Sequence, residues 1–101
     1  MNEKIHTPAL DDLLDAFLSL KTREECSRFL EDLCTVNEML SLSQRFQVAG
    51  MLRKGETYLA IAEETGASTA TISRVNRALN YGNEGYAMVL DRIAAERQSQ
   101  S

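Results

Sequence analysis

Helix-start signals recur along this chain, and no segment alternates with the period of a strand. Thr7-Pro8 places a capping hydroxyl before a proline at the first helical position. Thr22-Arg23-Glu24-Glu25 and Thr35-Val36-Asn37-Glu38 each have the spacing of a capping box, in which hydroxyl and carboxylate satisfy each other's orphan amides. Thr57 and Ser68 head two further segments, and Gly55 and Gly66 close the segments before them. A chain punctuated in this way folds as an all-α domain of about six helices.

Apolar spacing supports the same reading. Leu10, Leu13, Leu14, Phe17 and Leu18 make one stripe, and Cys26, Phe29, Leu30 and Leu33 make a second. Either Ser41 or Ser43 is expected to start the next helix, with Leu42, Phe46, Ala49 and Leu52 facing inward and Val48 beside them. A short segment runs from Thr35 toward Leu40 before it. Thr57 opens a helix through Glu64, and Ser68 opens another reaching about Leu79. Residues 80–85, Asn-Tyr-Gly-Asn-Glu-Gly, read as a loop. A last helix over 84–97 carries Val89, Leu90 and Ile93, and the tail after it reads as frayed. Met39, Met51 and Met88 are expected in the core.

Charge is unevenly placed. The formal net charge is −4, yet residues 1–40 hold nine acids against four bases, and residues 41–83 hold five bases against three acids. Within the middle segment, 41–55 and 65–83 contain bases and no acid. The local field decides what a surface attracts, so this segment is the candidate for an anionic partner.

Residues 65–79, Thr-Gly-Ala-Ser-Thr-Ala-Thr-Ile-Ser-Arg-Val-Asn-Arg-Ala-Leu, combine small hydroxyl and methyl groups with two arginines. Two short helices around Gly66 suggest a helix-turn-helix, the alternative being an ordinary helical hairpin. Ala62 is small where the second helix must pack, Gly66 suits a turn of positive φ, and Ile61, Ile72 and Val75 fill the shared core. At about 100° per residue, Ala70, Ser73, Arg74 and Arg77 lie opposite Ile72, Val75 and Leu79, with Thr69 and Thr71 at the flanks. Short side chains at a helix start allow close approach to base edges, hydroxyls can donate or accept, and methyls can meet thymine methyls. The free amides over Ser68–Thr71 favour phosphate. Ser68, Thr69, Ala70, Thr71, Ser73, Arg74 and Arg77 are therefore the expected contacts to double-stranded DNA.

Catalytic chemistry has little to stand on. His6 is the only histidine, lies in the N-terminal segment and reads as exposed. Cys26 and Cys34 are about 12 Å apart along a helix, beyond disulfide reach, and read as core fillers. No spacing matches a metal set, a phosphate loop or a dinucleotide fingerprint, and Asp11, Asp12 and Asp15 read as one exposed side. No catalytic residue, metal or cofactor is expected. The absence of an 18-residue apolar run and of a leader pattern suggests a reduced, cytoplasmic protein.

The run Gly-Ala-Ser-Thr-Ala-Thr-Ile-Ser-Arg over 66–74 resembles the turn and reading helix of the bacterial tryptophan repressor family. Its likeness extends through Leu-Ser-Leu-Ser-Gln-Arg-Phe-Gln-Val-Ala-Gly-Met-Leu-Arg-Lys-Gly-Glu-Thr over 40–57, and covers roughly residues 38–80. Including Leu-Asn-Tyr-Gly-Asn-Glu-Gly-Tyr over 79–86, the chain looks like the YerC/YecD group of Trp-repressor-like proteins. The resemblance implies an intertwined homodimer on a near-palindromic operator, with 1–40 as dimerisation helices, 41–80 as the helix-turn-helix region and 84–97 as the C-terminal helix of one domain. It further implies that Arg45 and Arg74 match the arginine pair that sandwiches the corepressor's indole. Where the repressor then has glycine this chain has Val75, whose branched side chain crowds that space and disfavours tryptophan. Another small-molecule effector stays open, and Arg45 and Arg74 are otherwise free for phosphate or base contacts. The expectation is a sequence-specific DNA-binding regulator, a repressor; the alternative is a protein-interaction module that keeps a degenerate helix-turn-helix.

Overall fold

The computed structural model describes residues 4–100, and among these residues there are six α-helices and no strand. They are α1 (Pro8–Ser19), α2 (Arg23–Leu33), α3 (Val36–Arg53), α4 (Tyr58–Thr65), α5 (Thr69–Tyr81) and α6 (Gly85–Ser99). The chain divides into a first compact unit ending at Met39 and a second beginning at Leu40. No described helix is long and apolar enough to cross a membrane.

Local capping chemistry accounts for where the helices begin. Thr7 accepts from the Leu10 amide at 3.1 Å with Pro8 at the first position. Thr22 accepts from the Glu25 amide at 3.1 Å, while the Glu25 carboxylate reaches back to the Lys21 amide, one residue earlier than a capping box requires. At α3 the box is reciprocal: Thr35 Oγ1 accepts from the Glu38 amide at 3.1 Å, and Glu38 Oε1 accepts from the Thr35 amide at 2.8 Å. The Thr35 amide, and after it the Thr35 side chain, bond to the Glu38 carboxylate, favour its ionised form and hold it below the ordinary glutamate range.

The structure corrects four expectations. Ser41 and Ser43 do not start a helix; both lie inside α3, which runs unbroken from the Thr35 box. A serine inside a helix costs only a fraction of 1 kcal/mol, less than exposing a new set of orphan amides. Leu42, Phe46 and Met88 are substantially exposed, and the buried face of α3 is Val48, Ala49 and Met51. The loop after α5 is short, because that helix continues through Tyr81. Finally, α6 extends to Ser99, with the Ser99 hydroxyl donating to the Glu96 carbonyl at 3.0 Å; no glycine or proline between 86 and 99 interrupts it.

In the first unit Phe17 and Phe29 meet edge to face, with ring centroids 5.4 Å apart. Neither α1 nor α2 has a buried residue, and Leu18 is 83% exposed. The second unit holds the core: Val48, Ala49, Met51, Ile61, Ala67, Ile72 and Val75, with Leu52, Ala62, Tyr86 and Leu90 packed against it. Each fully buried valine or isoleucine contributes roughly 1.5–3 kcal/mol. An ion pair between Arg53 and Asp91, 2.9 Å apart, links α3 to α6 at the surface.

Candidate nucleic-acid interface

The turn between α4 and α5 takes its shape from three adjacent residues. Thr57 caps α4 by accepting from the Ala60 amide, and α4 ends at Thr65. Gly66 then adopts φ +73°, ψ +5°, a left-handed conformation that a side chain would oppose. Ala67 is buried, and Ser68 caps α5 in extended backbone, its Oγ accepting from the Thr71 amide at 3.1 Å.

Burial separates the two sides of α5 as the spacing requires. Ile72 and Val75 are in the core, whereas Thr69, Ala70, Ser73, Arg74 and Arg77 are exposed. Thr71 is half-buried, and its Oγ1 accepts from Ser68 Oγ at 3.1 Å. Ser68 therefore has one acceptor lone pair left, and Thr71 keeps its donor and one acceptor. Neither Arg74 nor Arg77 takes part in an ion pair among the described residues. Both guanidinium groups thus face solvent with no carboxylate drawing on them, on a helix face that carries no acid.

Arg45 sits apart from this face, on α3. It is half-buried, and its Nε is buried without a hydrogen-bond partner. A buried donor with no acceptor is unfavourable until one arrives or the side chain swings outward. Val75 is 1% exposed and packed into the core, so the position after Arg74 is filled by apolar side chain.

Two features go beyond the sequence, which places Tyr81 and Tyr86 only beside the glycine loop, able to stack, hydrogen-bond or pack in a core or interface. Tyr81 is 86% exposed and continues the line of Ala70, Arg74 and Arg77 along α5. Its helical spacing from Arg77 carried that signal, obscured because the helix was expected to stop at Leu79. The second is Gln44, whose side-chain amide donates to the Thr65 carbonyl at 3.1 Å. No local pattern announces a bond between residues that far apart in the chain.

At the other end of α5, Gly82 is fixed by close approach. A Cβ there would lie 2.3 Å from the Ala78 carbonyl oxygen, an impossible contact. Beyond it Glu84 stands at φ +64° and starts α6 without a side-chain cap.

Comparison with known proteins gives a consistent set of relatives. YerC of Bacillus subtilis (strain 168), an uncharacterized protein, is 60% identical over 91 residues, spanning 90% of this chain and 88% of that protein. A solved TrpR like protein from Eubacterium eligens ATCC 27750 is 62% identical and superposes with a TM-score of 0.89, covering 92% of this chain and 96% of its own. A solved chain from Staphylococcus aureus is 60% identical with a TM-score of 0.88, over 91% of this chain and 92% of that one. The family model described as Trp repressor protein matches residues 8–94. Six helices, a glycine-turned α4–α5 pair and a family match spanning nearly all of them lead to one conclusion: the chain belongs to the Trp repressor protein family.

Proposed function

We propose that this protein is a sequence-specific DNA-binding transcription regulator, a repressor that acts in the cytoplasm as a homodimer and without tryptophan as corepressor. The observation that carries the reading is the exposed face of α5, where Thr69, Ala70, Ser73, Arg74 and Arg77 stand clear of the core that Ile72 and Val75 join. Thr69, Ala70 and Ser73 are short enough to let the helix start approach base edges, with Thr71 at the margin and Ser68 presenting the amide end to phosphate. Arg74 and Arg77 supply charge for phosphate or guanine.

Arg45 complements them from α3. Its unpartnered Nε supports a role in which an anion, a phosphate or a small effector, completes the site. The buried Val75 supports a reading helix held by core packing instead of by an indole beside Arg74. Support for the dimer comes from apolar surface that one protomer leaves uncovered. Leu14, Phe17, Leu18 and Leu33 are exposed in the first unit. In the second, Phe46, Met88 and Val89 line an open apolar hollow with Ala78, Gly82 and Tyr86. Facing a second copy would remove such patches from water, as closed two-fold assemblies do.

Replacing Arg45 and Arg74 together by alanine tests the arginine roles. Binding to a duplex selected from random sequence should weaken at least tenfold, read by fluorescence anisotropy at fixed salt. Unchanged affinity would remove both residues from the site and favour the protein-interaction reading.

A further inference from the structure

The direction of α5 decides where its exposed face points, and apolar packing alone controls that direction loosely. Contacts of Ile72 and Val75 are non-directional and tolerate small rolls and slides of a helix. Hydrogen bonds are directional. The polar groups of the α4–α5 turn form a closed set around Thr65. Its hydroxyl donates to the Ile61 carbonyl at 2.7 Å and accepts from the Ala67 amide at 3.1 Å. The Gly66 amide closes on the Ala62 carbonyl at 2.9 Å. The Thr65 carbonyl is among the acceptors left over at the end of α4, where no following helical amide can reach it.

Gln44 fills that vacancy from α3. Its Nε2 lies 3.1 Å from the Thr65 carbonyl oxygen, in a partly buried setting. The amide orientation is unambiguous, because a carbonyl can only accept and the side-chain nitrogen must face it. Gln44 also sits one residue before Arg45 and one helical turn before the buried Val48–Ala49 pair, so its Cα is carried by a part of α3 anchored in the core. We infer that Gln44 is a positioning residue for DNA recognition: it ties the α4–α5 turn to α3 and sets the orientation in which α5 presents Thr69, Ala70, Ser73 and Arg77. This role rests on the DNA-binding reading above, and it concerns discrimination between sequences instead of bulk attraction to phosphate.

Two variants separate the roles. Gln44→Met keeps length and removes the donor; Gln44→Glu keeps length and polarity and also removes it. Each is compared with the wild-type chain on a selected duplex and on a scrambled duplex of equal length, at 25 °C, with helicity checked by circular dichroism. If Gln44 positions the reading helix, the ratio of the two affinities falls about tenfold, the size of one spoiled base contact. In Gln44→Met, which adds no charge, affinity for the scrambled duplex and its dependence on salt stay at wild-type values. Amide exchange at Gly66, Ala67 and the first turn of α5 speeds up in both variants. A merely structural role would lower the melting temperature and leave the ratio intact. If wild-type discriminates and either folded variant keeps the ratio, the positioning role is overturned and the DNA reading stands. If the wild-type chain binds neither duplex, the DNA reading falls and this role falls with it.

Discussion

Arg74 and Val75 are neighbours in sequence and lie about 100° apart around α5, which places the first in solvent and the second in the core. That single step of rotation separates the charge of the candidate interface from the packing that holds it. Val75 is enclosed with Val48, Ala49, Ile61 and Ile72, so truncating it should leave a cavity and not a collapsed surface. Val75→Ala is predicted to lower unfolding free energy by about 2 kcal/mol, read as a shifted urea midpoint at unchanged slope. A loss well under 1 kcal/mol would mean the site relaxes and that α5 is not fixed by this side chain. The burial of Val75 was legible in the sequence because a 3.6-residue period with Ile72 leaves it no exposed option. The unpartnered Nε of Arg45 was not, because it depends on which acceptors the tertiary fold brings near.

Among the elements, α3 shows most clearly what local sequence can and cannot specify. Its start at the Thr35 box was readable, since capping links residues three apart and needs nothing distant. The continuity of α3 through Ser41 and Ser43 was less readable. Serine is favoured at a helix start and tolerated within one, so its presence marks a candidate boundary without deciding it. The same limit applies to the end of α5: Asn80 and Tyr81 resemble loop residues, yet Gly82 ends the helix only where its backbone meets Ala78. The α3 cap also gives a pH signature. Because Glu38 is held below its ordinary range in the folded chain, its contribution is fully present above the unfolded glutamate pKa and disappears as pH falls through the lowered one. Glu38→Gln should therefore flatten the acid side of the stability profile, measured as melting temperature against pH. An identical profile in the variant would show that the Glu38 charge adds nothing to the stability of α3.

For the whole molecule, exposed apolar residues on α1, α2 and α6 are the surface that the proposed homodimer would cover. Leu18 is 83% exposed in one chain, so a charge there costs a monomer almost nothing and is damaging only if a second copy covers it. Leu18→Glu is accordingly predicted to weaken dimerisation about a hundredfold in sedimentation while helicity is kept. Wild-type sedimenting as a monomer at micromolar concentration would remove the dimer from the account. The stripes that led to this prediction were visible in the sequence; what lay beyond it was whether the chain covers them itself, and the structure shows Leu18 left in the open.

If the face of α5 engages the phosphates and bases of DNA, binding must depend on salt. Affinity for a selected duplex is measured from low to physiological salt for wild-type and for Arg77→Ala. A steep, log-linear fall is expected for wild-type and a shallower one for the variant, the slope dropping by about 2 if the proposed dimer loses one phosphate contact from each copy. A flat response in wild-type, or the same slope in both proteins, would contradict that engagement.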